Sequence, residues 1–175
     1  TDAICREGMR YAVGSLRQAY HNGADVSARE GMSLASLFGG LAMANAALGT
    51  VHGFAGPLGG MLHAPHGAIC ARLLPLVMDA NLKALELRQE GHAVIGRYVE
   101  IAQIVTGDKN ASAQDGIKWV SDLASDLDIP PLSAHGMNGS RIPEAVEKTM
   151  KASSTKGNPI VLSEEELREV LVRAI

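Results

Sequence analysis

The sequence predicts an all-α fold, a multi-helix bundle forming a single domain over residues 1–175. Three observations carry this. Only 3% of the residues are aromatic although 46% are hydrophobic, whereas strand-rich sandwiches draw on aromatic and β-branched side chains. Apolar positions recur at helical spacing in one segment after another, bounded by helix start and stop signals. No segment shows the two-residue alternation of a half-buried strand.

The elements follow in order. Residues 3–22 place Ile4, Met9, Tyr11, Val13, Leu16 and Tyr20 near helical spacing, and Asn22-Gly23 supplies a stop. Ser27 followed by Glu30 reads as a capping box opening a second helix. That helix is expected to run through Met32, Leu34, Leu37, Phe38, Leu41, Met43 and Leu48 to Gly49. It is apolar nearly all round, which predicts a buried central helix. Residues 52–67, HGFAGPLGGMLHAPHG, hold three of the six histidines, five glycines and two prolines, and read as a Gly-rich connection. Another apolar helix follows over residues 68–81, with Pro75 expected to bend or restart it. Residues 91–105 and 111–126 read as amphipathic helices. Ile129-Pro130-Pro131 breaks the chain, and residues 136–141 form a loop. A short helix over 142–152 has Pro143 in its first turn, Gly157-Asn158-Pro159 is a turn, and Ser163 with Glu166 boxes the last helix.

Charge and cysteine usage exclude several classes. A net charge of -3 is not the basic footprint of a nucleic-acid binder. No run of about 18 apolar residues suggests a membrane span, and no charged-then-apolar leader opens the sequence. Cys5 and Cys70 lie far apart with no CxxC pair, so neither a disulfide framework nor a cysteine zinc site is indicated. A soluble, cytoplasmic protein is expected. The sequence starts without Met and already within a helical pattern, so a segment of a longer protein is expected as well.

The candidate chemistry gathers around the histidines. Imidazole is the commonest metal ligand at neutral pH, and a metal inside a helical domain takes side chains from facing helices. His52 and His66, at opposite ends of the Gly-rich segment, are candidate metal ligands. Each also fits an ordinary role, capping a helix or satisfying a buried carbonyl, and the residues alone leave both open. His63 pairs with His66 at i, i+3, a spacing common by chance. His21, His92 and His135 lie in polar surroundings and are expected to be exposed. Gly39-Gly40 and Gly59-Gly60 follow no strand, which removes a Rossmann or P-loop reading. No G-x-S-x-G elbow occurs, and Cys70 reads as a small core residue rather than a nucleophile.

Residues 45–81, NAALGTVHGFAGPLGGMLHAPHGAICARLLPLVMDAN, resemble the second signature of the iron-containing alcohol dehydrogenases. The matching pieces are Val51-His52-Gly53, Leu58-Gly59, Pro65-His66-Gly67, Leu73-Leu74-Pro75, Val77-Met78 and Asn81. Weaker likeness extends through Ile129-Pro130 and Gly157-Asn158-Pro159 to the whole chain. The resemblance implies the C-terminal helical domain of that family (dehydroquinate synthase-like), the second half of a two-domain enzyme. In such enzymes a Rossmann-like N-terminal domain holds NAD or NADP, and the helical domain holds Fe²⁺ or Zn²⁺ in the cleft between them. His52 and His66 match the last two metal ligands. The first two, an Asp and a His at D-x-x-x-H spacing, are placed by the family just before Thr1. Many members carry a proton-relaying His four residues after the VHG histidine, where this chain has Gly56. His63 is then the nearest spare imidazole and a candidate catalytic residue lining the cleft.

The resemblance therefore implies a metal-dependent, NAD(P)-linked alcohol dehydrogenase acting on a small alcohol or aldehyde, with this chain alone incompetent for hydride transfer. A stand-alone helical module binding a metal or partner without catalysis is the alternative, and a structural remnant a third. An uncovered apolar cleft wall would promote homo-oligomer formation.

Overall fold

The computed structural model describes residues 1–89 and 91–175, and among them there are eight α-helices and no strand. The helices are α1 (Asp2–His21), α2 (Val26–Met43), α3 (Thr50–Leu62), α4 (His66–Leu87), α5 (His92–Thr106), α6 (Ala113–Asp126), α7 (Ile142–Lys151) and α8 (Glu164–Ala174). Short 3₁₀ turns lie at Leu132–His135, Gly139–Arg141 and Ser153–Gly157. The all-α expectation holds. The chain groups into two compact units, Thr1–Ala46 with Gly96–Leu127, and Ala47–Ile95 with Asp128–Ile175.

In the first unit α1 and α2 form an antiparallel hairpin. Small residues set their closeness: a Cβ on Gly8 would lie 3.1 Å from the Cβ of Phe38, and one on Gly31 would lie 2.0 Å from the Ser15 hydroxyl oxygen. Tyr11 and Phe38 stack with ring centroids 5.9 Å apart. Arg6 ties α1 to α5 through a two-pronged pair with Glu100, and Arg17 ties it to α6 by pairing with Asp126 and lying over the Trp119 ring. A Cβ on Gly116 would sit 2.8 Å from that of Ala102, so α5 and α6 touch backbone to backbone there.

Two expectations for α2 are corrected. Its cap is Asp25, whose side chain accepts from the Ala28 N–H, and Ser27 lies inside the helix, so the Ser27–Glu30 box does not form. A carboxylate two residues earlier reaches the free N–H groups first, because the chain leaves the Asn22-Gly23 turn already directed into the helix. Nor is α2 a buried central helix: only Ala28 and Gly31 are buried along it, while Leu37 and Met43 are 55% and 59% exposed. Its hydrophobicity is real, but α1 covers a single face of it.

The second unit is a ring of four helices. α3 packs on α4 and α7, and α8 closes the ring by packing on α4 and α7. Phe54, Leu58, Ile69, Leu73, Leu85, Leu167 and Leu171 are each at most 1% exposed and form its core. The Gly-rich stretch expected as a connection is mostly the helix α3, in spite of Gly53, Gly56, Gly59, Gly60 and Pro57. Each glycine costs a helix roughly 1 kcal/mol relative to Ala, and the complete burial of Phe54, Ala55 and Leu58 outweighs that. α4 likewise runs unbroken through Pro75, with no restart. The box at Ser163 and Glu166 forms as expected, and a second at Ser112 and Asp115 opens α6.

Candidate metal centre

His52 sits in the first turn of α3, and His66 is the first residue of α4. α3 ends at His63, whose backbone takes the left-handed conformation (φ 51°), and Ala64-Pro65 then turns the chain into α4. His52 thus opens one helix and His66 opens the next, where the sequence placed them at opposite ends of a Gly-rich connection. The two rings nevertheless meet, with centroids 5.4 Å apart.

The position of His52 depends on how α3 begins. The first N–H groups of a helix have no intrahelical acceptor. Here the Asn158 side-chain oxygen accepts from the Thr50 N–H at 3.1 Å. The same amide pairs reciprocally with Asn81 on α4, donating to it at 2.6 Å and accepting from it at 3.3 Å. It also donates to the Ile160 carbonyl. Asn81 and Asn158, distant in sequence, therefore anchor α3 to α4 two residues from His52. Glycines complete the fit. A Cβ on Gly53 would lie 2.1 Å from the Thr155 hydroxyl oxygen, and one on Gly157 would lie 2.1 Å from the Leu48 carbonyl oxygen.

A third side chain joins the histidines. Cys70 lies one turn after His66 on the same face of α4, its Sγ 3.4 Å from the His66 Nε2. The ligating atoms of His52, His66 and Cys70 all fall within 4.8 Å of one another. Sequence reading assigned Cys70 to the core, yet it is only half-buried. The i, i+4 spacing from His66 was the signal that marked it.

Electrostatics suit a cation. Burial, and then the charge of neighbouring His66, hold His52 below its ordinary value, so its ring is neutral at pH 7 and keeps a lone pair to donate. Burial pushes the Cys70 thiol up, so it is protonated at neutral pH. Two imidazoles and a thiol within one ion's reach fit iron or zinc.

The other candidates lie apart. His63 is exposed and does not belong to the His52–His66–Cys70 cluster. Gly56 is exposed one turn along α3 from His52, and a Cβ there would meet no heavy atom within 4 Å. His21 and His92 are exposed as expected, but His135 is half-buried, and its Nε2 is buried without a hydrogen-bond partner. The 3₁₀ turn at Leu132–His135 folds that ring inward, which a polar sequence context does not reveal.

Comparison with known proteins shows which family the chain belongs to. Residues 1–175 match the Fe-containing alcohol dehydrogenase family, C-terminal, and the chain belongs to the iron-containing alcohol dehydrogenase family. It is 32% identical to the 1,3-propanediol dehydrogenase of Citrobacter freundii, over 99% of this chain and 44% of that one. It is 31% identical to alcohol dehydrogenase 4 of Saccharomyces cerevisiae, over the same shares. The solved alcohol dehydrogenase from Oenococcus oeni superposes with a TM-score of 0.88 at 31% identity, covering 99% of this chain and 45% of that one. The chain thus spans a little under half the length of these relatives. Among the described residues no helix is long and apolar enough to cross a membrane.

Proposed function

We propose that this chain supplies the metal-binding part of a cytoplasmic, NAD(P)-linked alcohol dehydrogenase acting on a small alcohol or aldehyde. The observation that carries the reading is the meeting of His52 and His66 from the starts of α3 and α4, in a chain of the iron-containing alcohol dehydrogenase family. A divalent iron or zinc ion held by these two imidazoles would supply Lewis-acid polarisation of the substrate oxygen and stabilise its alkoxide form.

The chain's own residues have defined tasks. His52, whose basicity burial lowers, offers a lone pair from a helix start that Asn158 anchors at Thr50. His66, exposed at the start of α4, offers the second. Gly56 leaves open space one turn from His52, room for a small substrate where a side chain would stand. His63 lies exposed at the end of the same helix, and we keep it as a candidate cleft residue. The hydride carrier, NAD or NADP, is held by a nucleotide-binding domain and not by these 175 residues. These 175 residues by themselves accordingly transfer no hydride. Self-association of chains fits the exposed Leu37, Leu41 and Met43 of α2.

Equilibrium dialysis against Zn²⁺, or Fe²⁺ under argon, tests the metal reading. Wild type should retain about one ion per chain, and His52→Ala and His66→Ala should each lose it. Unchanged binding in both variants removes the metal argument. Robust NAD(P)H-dependent aldehyde reduction by the purified 175-residue chain refutes the division of labour.

A further inference from the structure

In the second unit α4 and α8 run antiparallel. Arg173, near the end of α8, pairs with Asp79 within α4, and Glu166, near its start, pairs with Arg88 just after α4. Between the two helices lies a groove of about 220 Å³. Ala80, Ala84 and Val170 line its floor, and the small side chains of α4 leave that space open. Leu87 stands at one end of the groove and is 82% exposed. At the same end Arg88 donates to the Val161 carbonyl, and Val161 is 85% exposed. Among the described residues these two are the most exposed large apolar side chains, and both belong to one end of one groove. A single exposed apolar residue is ordinary, whereas two beside an apolar groove make a patch suited to a partner.

The charges select the partner. At the end away from Leu87 the carboxylate of Asp79 meets two cations, Lys83 and Arg173, so that end carries surplus positive charge. Toward Leu87, Arg88 is matched by Glu166, and Glu169 on the same wall adds surplus negative charge. A groove positive at one end and negative at the other is complementary to itself when turned by half a revolution, which is what an isologous dimer requires. We propose that this groove is a two-fold interface with a second copy of the chain, in which Leu87 of each copy enters the groove of the other and Glu169 of each faces Lys83 of the other. The proposal rests on the reading that chains associate, and gives that association a defined surface. The exposed Leu37, Leu41 and Met43 of α2 are a separate patch and carry no charge that would set the register of a partner.

Sedimentation equilibrium of the purified chain over a range of concentrations tests this. Wild type should reach twice the chain mass of 18.4 kDa, and added salt should weaken the dimer. Leu87→Asp should weaken dimerisation about tenfold or more, while Leu37→Asp leaves it unchanged. Because Leu87 is so exposed, its replacement leaves the fold intact, which circular dichroism checks. Charge reversal provides the sharper readout. Glu169→Lys and Lys83→Glu should each weaken self-association, and an equimolar mixture of the two variants should dimerise at least as well as wild type, because a two-fold arrangement then pairs opposite charges at both contacts. A dimer that Leu87→Asp leaves intact, or variants whose mixture gains nothing, overturn this surface and leave the association of chains standing. A wild-type chain that stays monomeric throughout overturns both.

Discussion

Replacing Asn158 by Ala tests how the site is built. The substitution removes four hydrogen bonds: one from the Thr50 N–H, two shared with Asn81, and one to the Ile160 carbonyl. Thr50 is fully buried and Asn81 only 4% exposed, so water does not readily replace what is lost there. A buried polar group stripped of its partner costs about 1–3 kcal/mol, and losing a helix-capping acceptor costs about 0.5–2 kcal/mol. Asn158 itself is half-buried, so some water enters its place, and the net loss is expected at about 2–4 kcal/mol. For a chain of this size that lowers Tm by roughly 5–15 °C. Asn158→Asp keeps the acceptor for Thr50 but not the donor for Asn81 and Ile160, and should fall between. Urea unfolding followed by circular dichroism measures all three proteins, and metal affinity should drop in parallel, about tenfold or more for Asn158→Ala. A loss under about 1 kcal/mol for Asn158→Ala would refute the claim that this amide anchors α3.

Other perturbations probe separate parts of the second unit. Gly53→Ala drives a methyl into the Thr155 hydroxyl, which already donates to the Thr149 carbonyl, and should cost about 1–3 kcal/mol. Combined with Thr155→Ala the loss should shrink, giving a coupling of at least about 0.5 kcal/mol in a double-mutant cycle by denaturant unfolding. Gly56→Ala meets open space and should stabilise by roughly 0.5–1 kcal/mol through helix propensity, read as a rise in Tm. Asp79, only 7% exposed, pairs with Lys83 and Arg173. Burial raises its pKa, but the hydrogen bonds and charges of Lys83 and Arg173 outweigh that and hold it below the usual carboxylate range. Its stabilisation is therefore present in full above that range and lost as the pH falls through the lowered value. Asp79→Asn should be less stable than wild type at pH 7, with the gap closing in acid, as measured by urea midpoints against pH.

Much of this architecture is legible in the sequence because its signals are local. The period of α1, the Ser163–Glu166 box and the Pro143 start of α7 all act within a few residues, and each element lies where its signals place it. The readings that fail depend on partners far along the chain. α3 carries four glycines and a proline, and is held helical by burial against α4 and α7. The exposure of α2 is equally non-local, because its own composition does not say how many of its faces find a neighbour. At the site, His52 and His66 are conspicuous as types, whereas Cys70 is disguised by its apolar surroundings. The Asn81–Asn158 pair bridges 77 positions, beyond the reach of any periodicity, although both asparagines fall within segments that resemble the family.

The most direct test of the central claim is a crystal structure of this chain grown with zinc, with data collected on both sides of the zinc absorption edge. The account predicts one strong anomalous peak at the starts of α3 and α4, with imidazole nitrogens of His52 and His66 about 2.0–2.1 Å away. A saturating zinc soak that leaves both imidazoles without metal would contradict it.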